Sequence, residues 1–129
     1  MSKPIRVTVL MKRRDKESPE EFRKYWAETH GPKFLSVSLV EKHLVRYQRF
    51  YSSSELVSIA NMRKLHLPSL SIQDEFDGAA EFWAPSMEDL EAVFSSQEYY
   101  EKAYLDENNF LDREKSRTLI GYEEVDIQV

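Results

Sequence analysis

The sequence alternates between segments with the two-residue period of a strand and segments with the longer period of a helix. In PIRVTVLMK, from Pro4 to Lys12, every second side chain is apolar, which predicts a strand buried on one face. Further strands are predicted for HLVRYQRFY (His43 to Tyr51), FDGAAEFWA (Phe76 to Ala84) and TLIGYEEVDIQV, because all three are rich in β-branched and aromatic residues. With a helix after the first strand and another after the third, the order is β-α-β-β-α-β.

The first predicted helix has a well-marked start. In SPEEFRKYWAETHGP, the Ser18 hydroxyl can cap a free backbone amide, Pro19 fits the first turn, and Glu21 can reach back to the cap. Trp26 and His30 then follow Phe22 at helical spacing on one face. The pair Gly31-Pro32 predicts the end of the helix, after which Phe34, Leu35 and Leu39 allow a further helical segment.

This order predicts a single α+β domain over residues 1–129 with the ferredoxin-like arrangement, an antiparallel four-stranded sheet with helices on one face. Residues 52–75 are long for a connection between strands, which favours an insertion or a lid. By alternation, Trp83 and Asp77 would lie on the open face of the sheet. An open aromatic face is typically covered, so we expect a homodimer that packs sheet to sheet.

Composition excludes several classes of protein. The chain has no cysteine, which rules out disulfides, thiolate metal sites and a cysteine nucleophile. A net charge of −5 argues against a nucleic-acid partner. No apolar run is long enough for a signal peptide or a membrane span, so we expect a cytoplasmic protein without a membrane partner. Three scattered histidines and three glycines form neither a metal motif nor a phosphate loop, so no metal or cofactor is expected.

Five segments together carry a resemblance to a known family: VTVLMKRR, SPEEFRKYWAETHGP, HLVRYQRFY, DGAAEFWA and SRTLIGYEEV. The chain resembles the EthD-domain family of the dimeric α+β barrel superfamily, with Trp26, His30, Gly31 and Pro32 forming a W-x-x-x-H-G-P signature. The part from DGAAEFWA onward is similar to fungal members that accompany polyketide synthases. Related barrels use a histidine ligand for haem, but this short chain lacks the additional elements that a haem site is expected to need.

The resemblance implies a cofactor-independent dehydratase or cyclase that acts on an aromatic polyketide-derived intermediate in pigment-type secondary metabolism. Two alternatives stay open, namely a non-catalytic binding protein for a hydrophobic metabolite and a cofactor-free anthrone-type monooxygenase. Dehydration and oxygenation begin with the same proton removal, so the sequence does not separate them.

His30 has two readings. It is either a structural residue that interacts with the helix C-terminus or a general acid/base, for which an imidazole is suited near neutral pH. The other catalytic candidates are Tyr47 as a hydrogen-bond donor, His66 on the lid, and Asp77 as a carboxylate that orients the imidazole. Each also has an ordinary structural explanation. The predicted substrate contacts are Trp26, Arg46, Tyr51, Phe82 and Trp83.

Overall fold

The computed structural model describes residues 3–68 and 75–128. Its four strands are β1 (Ile5–Met11), β2 (Arg46–Tyr51), β3 (Gly78–Ala84) and β4 (Arg117–Tyr122). They form one antiparallel sheet in the order β2-β3-β1-β4. This is the strand order of the ferredoxin-like arrangement, so the predicted α+β fold is confirmed.

Helical segments fill the connections between the strands. After β1 come α1 (Pro19–Tyr25), a π-helical turn (Trp26–His30), α2 (Gly31–Leu35) and α3 (Ser38–His43). After β2 comes α4 (Ser54–Met62), and after β3 come α5 (Met87–Phe94), α6 (Gln97–Tyr99), a second π-helical turn (Tyr100–Tyr104) and a 3-10 turn (Leu105–Asn109). In the described part of the chain, no helix has the length and hydropathy needed to cross a membrane.

The core lies between the helices and the sheet face that carries Val7, Tyr47 and Phe82, which we call the inner face. Several of its large side chains are aromatic and fully or almost fully buried, among them Phe22, Trp26, Phe34, Phe82 and Phe110. The opposite, outer face carries Trp83 and Glu81, as alternation along β3 predicts.

The predicted start of α1 is confirmed, but its predicted end is wrong. Ser18 Oγ accepts a hydrogen bond from the Glu21 amide at 3.1 Å, and Glu21 Oε1 accepts one from the Ser18 amide at 2.9 Å. The chain then continues through the π-helical turn into α2 instead of ending at Gly31-Pro32. Pro32 follows directly after this turn, within the first two positions of α2.

Two strands begin later than predicted. β2 begins at Arg46 because His43 instead ends α3, where its Nδ1 lies 2.7 Å from Asp89 Oδ1. β3 begins at Gly78, not at Phe76. A Cβ on Gly78 would lie 2.2 Å from the Phe50 carbonyl oxygen, so the close approach of β2 and β3 requires glycine there.

The segment predicted as a lid does not cover the inner face in its described part. Residues 54–62 form α4, which borders a second cavity of about 470 Å³ together with Leu10, Phe50 and Ala79. Leu10 and Ala79 alternate with inward-facing residues, so this cavity lies at the outer face. Residues 69–74 of the predicted lid lie outside the described residues.

Candidate active site

A cavity of about 480 Å³ lies between the inner face of the sheet and the helices. Its volume is in the range of sites for small organic ligands, and its walls are mainly apolar and aromatic. The side chains that line it include Val7, Val9, Trp26, His30, Phe34, Tyr47, Ala80, Phe82, Phe94, Tyr99, Tyr104, Glu107, Arg113, Thr118 and Ile120.

His30 lines this cavity, and the π-helical turn puts it there. The ring is buried, with 6% of the residue exposed, and its centroid lies 4.6 Å from that of Phe110. In the π-helical turn the Gly31 amide donates to the Trp26 carbonyl, five residues earlier, so this turn holds one residue more than an α-helical turn. His30 therefore lies in the middle of a helical stretch, and the proposed interaction with a helix C-terminus is wrong.

Asp106 fixes the orientation of His30. Its Oδ2 lies 2.9 Å from His30 Nδ1, and its Oδ1 accepts hydrogen bonds from Tyr25 Oη at 2.6 Å and Lys33 Nζ at 2.9 Å. Asn109 Nδ2 donates to the same oxygen at 3.0 Å. Burial raises the pKa of Asp106, but the four hydrogen bonds outweigh burial and hold that pKa well below its ordinary value. Asp106 is therefore a carboxylate in the folded protein.

An ionised Asp106 also fixes the tautomer of His30. A carboxylate only accepts hydrogen bonds, so His30 Nδ1 must carry the proton that joins the two side chains. In the neutral imidazole, Nε2 is then the unprotonated nitrogen. Within residues 3–68 and 75–128, no group hydrogen-bonds to Nε2, and His30 lines the cavity. Nε2 is thus available to accept a proton from a molecule bound there.

Tyr47 supplies a hydrogen-bond donor to the same cavity. Its hydroxyl oxygen accepts a hydrogen bond from Trp26 Nε1 at 3.1 Å, and its ring lies parallel to that of Phe82 at 5.2 Å. Burial raises the pKa of Tyr47, so the phenol stays protonated at neutral pH. Because the oxygen accepts from Trp26, the hydroxyl proton remains available for an oxygen atom of a ligand.

A second polar group in the cavity wall consists of Glu107, Arg113 and Tyr99. Arg113 Nε donates to Glu107 Oε1 at 2.9 Å, and the guanidinium lies 3.7 Å from the ring centroid of Tyr104. Burial raises the pKa of Tyr99, and the Glu107 carboxylate raises it further. Tyr99 is therefore neutral and adjacent to an ion pair.

Four predicted site residues line this cavity, namely Trp26, His30, Tyr47 and Phe82. Two others lie on the outer face: Trp83 donates to Glu123 at 2.7 Å, and the Arg46 guanidinium lies 4.6 Å from the Trp83 ring. Their placement as substrate contacts of this cavity is wrong, because alternation along β2 and β3 turns them away from it.

The remaining predicted residues also fall outside the cavity lining. Tyr51 lies on the inner face but packs edge-on against Trp26 at 5.6 Å, so it supports a lining residue. Asp77 accepts from the Arg13 amide at 2.8 Å and from Arg13 Nη1 at 2.6 Å, so it orients an arginine and not an imidazole. His66 is exposed in the segment after α4 and does not line the cavity.

No local sequence pattern predicts Asp106, the carboxylate that does orient His30. It lies 76 residues beyond His30 in a stretch with several other acidic residues, and only the fold brings the two together. Glu107, Arg113 and Thr118 were missed for the same reason. Among the described residues, no three histidine, aspartate or glutamate side chains come together in a group that could hold a metal ion.

Comparison with known proteins agrees with this architecture. A crystal structure of an ethyl tert-butyl ether D (EthD) family protein from Bacillus halodurans is similar to this chain with a TM-score of 0.63 and 15% identity, covering 94% of this chain and 99% of that one. A solution structure of a hypothetical Arabidopsis thaliana protein is similar with a TM-score of 0.52 and 15% identity, covering 99% of this chain and 94% of that one.

The comparison with curated proteins finds no match. The sequence model of the EthD domain, in contrast, matches residues 14–114, a range that contains α1, His30, Tyr47, β3 and Asp106. The chain therefore belongs to the EthD domain family.

Proposed function

We propose that this protein is a cofactor-independent dehydratase or cyclase whose substrate is an aromatic, polyketide-derived compound, and that His30 is its general acid/base. One observation carries the proposal: Asp106 holds Nδ1 of His30, which leaves Nε2 without a hydrogen-bond partner among the described residues at the wall of an apolar, aromatic cavity. A buried carboxylate that fixes the tautomer of a histidine is the arrangement used to hold a general base in position.

The first step of the proposed reaction is removal of a proton next to a carbonyl group. His30 Nε2 takes the proton, and Asp106 stabilises the resulting imidazolium through Nδ1. The electron pair of the broken C–H bond moves onto the carbonyl oxygen, which accepts a hydrogen bond from the Tyr47 hydroxyl. Burial of Tyr47 favours this role, since it keeps the phenol protonated.

Loss of water completes the dehydration. The enolate re-forms its carbonyl and expels a hydroxyl group from the β carbon, and that hydroxyl leaves as water with the proton held by His30. The imidazole returns to its neutral form, because the proton taken from the α carbon leaves in the water molecule. Aromatisation of the product ring makes the step favourable. In a cyclase the same enolate carbon instead attacks a second carbonyl of the substrate.

A non-catalytic carrier of a hydrophobic metabolite is the alternative from another class. The apolar lining suits it equally well. The His30–Asp106 pair favours the enzyme, because a carrier has no need of a buried histidine whose partner carboxylate is held by three further hydrogen-bond donors. A carrier would bind the compound and release it unchanged.

We propose further that the protein is a homodimer that packs through the outer face of the sheet, as in the dimeric α+β barrel. Phe50 and Leu119 project from this face and are 56% and 62% exposed, and Leu56 of the adjoining α4 is 66% exposed. An edge strand with exposed apolar side chains normally requires cover. A second copy provides it without opening the His30 cavity, which lies on the other face.

The function is tested with a tetralone that carries a hydroxyl group β to its carbonyl, since loss of water followed by tautomerisation converts it to a naphthol. We expect the protein to accelerate naphthol formation equally in air and under nitrogen, and His30→Gln to abolish the acceleration. Incorporation of an oxygen atom only in air would instead identify a monooxygenase. Saturable binding with recovery of unchanged tetralone would identify a carrier.

A further inference from the structure

We propose that the edge strand β4 determines how long a ligand the cavity accepts, through Ile120 and Thr118, and that Arg113 holds a hydrogen-bond acceptor at that end. The proposal rests on the proposed function for the aromatic character of the ligand. It adds three specificity-determining residues at the end of the cavity opposite Tyr47.

The floor of the cavity is a row of side chains that crosses the whole sheet. Four lining residues lie directly opposite one another on successive strands, in the order Tyr47, Phe82, Val7, Ile120. A second row runs beside it, formed by Ala80, Val9 and Thr118. The first row crosses three gaps between neighbouring strands, so it is about 14 Å long. The second row lies two residues along the strands from the first, so the two rows are about 7 Å apart.

These dimensions suit a flat molecule with its long axis across the strands. The Tyr47 and Phe82 rings are nearly parallel, with an angle of 11° between their planes, and the centre of the floor is small and aliphatic at Ala80 and Val7. A single aromatic ring would cover only one end of the floor. Three linearly fused rings with a terminal substituent would extend from Tyr47 to β4.

The β4 end of the floor is open, and Arg113 lies in the turn that leads into β4, where the Ser116 amide donates to the Arg113 carbonyl at 3.2 Å. Ile120 is 58% exposed because no described helix covers the edge strand. Arg113 donates from Nε to Glu107 and from Nη2 to the Tyr104 carbonyl. In the described part of the chain, nothing accepts from its Nη1 or bonds to the Thr118 hydroxyl, and both residues line the cavity. A carboxylate or carbonyl at the end of the ligand would therefore find donors there.

The length claim is tested with two probes, a naphthalene carboxylate and an anthracene carboxylate, each with its carboxylate at the end of the long axis. Calorimetric titration of the wild-type protein should show the anthracene compound binding about tenfold tighter, because its third ring buries additional apolar surface. Ile120→Trp should remove this advantage and leave the naphthalene affinity unchanged. The matched control Tyr122→Trp adds an indole on the same strand face outside the cavity and should change neither affinity.

The acceptor claim is tested with the corresponding carboxamides. Arg113→Gln should weaken the anthracene carboxylate about tenfold and the carboxamide much less, since only the carboxylate has a charge-assisted hydrogen bond to lose. Thr118→Val, which keeps the shape of the side chain, should weaken both compounds by a similar, smaller factor. Thermal unfolding of each variant establishes that the protein is folded at the temperature of the titration.

Three results would overturn the proposal: equal affinity of the wild type for the two ring lengths, an Ile120→Trp protein that binds both probes as the wild type does, or one that loses both equally. Equal weakening of carboxylate and carboxamide by Arg113→Gln would overturn the role of Arg113. All titrations are repeated in the His30→Gln background. Because they measure binding and not turnover, they decide the length claim even if His30 has no catalytic role.

Discussion

Asp106 is the residue that joins three side chains, Tyr25, Lys33 and Asn109, to the proposed base. Burial raises the pKa of Asp106, but hydrogen bonds from Tyr25, Lys33 and His30 lower it by more than burial raises it. The pKa in the folded protein is therefore below that of the unfolded chain. A carboxyl group with a depressed folded pKa contributes stability that is present above its unfolded pKa of about 4 and is lost as the pH falls toward the folded value.

Asp106→Asn should therefore change both stability and its dependence on pH. At neutral pH we expect a loss of about 1–3 kcal/mol in the free energy of unfolding, because the charge-assisted hydrogen bonds are weakened. Below about pH 4 the wild type should lose stability more steeply than the variant, since only the wild type has this carboxylate to protonate. Denaturant titrations between neutral pH and acid measure both effects. Parallel pH profiles would contradict the assignment of a depressed pKa to Asp106.

Tyr47→Phe separates the donor role of the hydroxyl from the packing of the ring. Phenylalanine keeps the contact with Phe82 but leaves the Trp26 indole N–H without its acceptor. If the hydroxyl stabilises an enolate oxygen, turnover should fall roughly 10–10³-fold while ligand affinity changes little. Rates and affinities are measured on the same preparation. Tyr51→Phe is the matched control outside the cavity lining, and a similar fall in that variant would contradict the role of Tyr47.

Among the secondary-structure elements, the π-helical turn is the one that places His30 in the cavity wall. A Cβ on Gly31 would lie 2.8 Å from the Trp26 carbonyl oxygen, the acceptor of the π-helical hydrogen bond. Gly31→Ala must therefore displace the backbone that carries His30. The higher helix propensity of alanine offsets about 1 kcal/mol of the cost of this displacement. We therefore expect a net loss of about 1–2 kcal/mol in the free energy of unfolding.

Gly121→Ala is the control, because nothing in its own chain lies within 4 Å of its Cβ position. Gly121 shares the outer face with Leu119, so the mass of this variant is measured as well. It should leave stability and turnover nearly unchanged, whereas Gly31→Ala should lower both. Chemical denaturation and the naphthol assay measure the two quantities. A Gly31→Ala protein with the stability and rate of the wild type would show that the π-helical turn does not position His30.

Features of the elements that depend on neighbouring residues could be predicted from the sequence, and features that depend on tertiary packing could not. The Ser18–Glu21 capping box and the alternation in β1 depend on neighbouring residues, and the structure confirms both. Gly31-Pro32 has the pattern of a helix end, but a π-helical turn accommodates it, and such a turn has no local sequence signature. The pairing of His30 with Asp106 depends on tertiary packing across 76 residues, which a single sequence does not encode in any readable pattern.

At the scale of the whole molecule, the two sheet faces have separate roles in this account. The inner face holds the cavity, and the outer face is proposed to bind a second copy. Light scattering should give about twice the chain mass of 15.3 kDa. Phe50→Arg combined with Leu119→Arg should shift the mass toward one chain, because two cations would have to be buried in the interface.

Leu35→Arg, at an exposed position of α2 on the helical side, is the control and should remain a dimer. Analytical ultracentrifugation over a range of concentrations distinguishes dissociation from misfolding, and circular dichroism reports the fold of each variant. A wild-type protein that is monomeric at micromolar concentration, or a double variant with unchanged mass, would contradict the outer-face interface.

His30 is proposed to remove a proton from a ligand next to a carbonyl group, and isotope exchange measures this step alone. A simple tetralone in deuterated water exchanges the hydrogens beside its carbonyl, and proton magnetic resonance follows the loss of their signal. The wild type should accelerate this exchange, and His30→Gln should lower the protein-catalysed rate roughly 10²–10⁴-fold while the fold remains intact. His43→Gln, which changes a histidine paired with Asp89 outside the cavity, should exchange like the wild type. A well-folded His30→Gln protein that retains the full exchange rate would show that His30 is not the base.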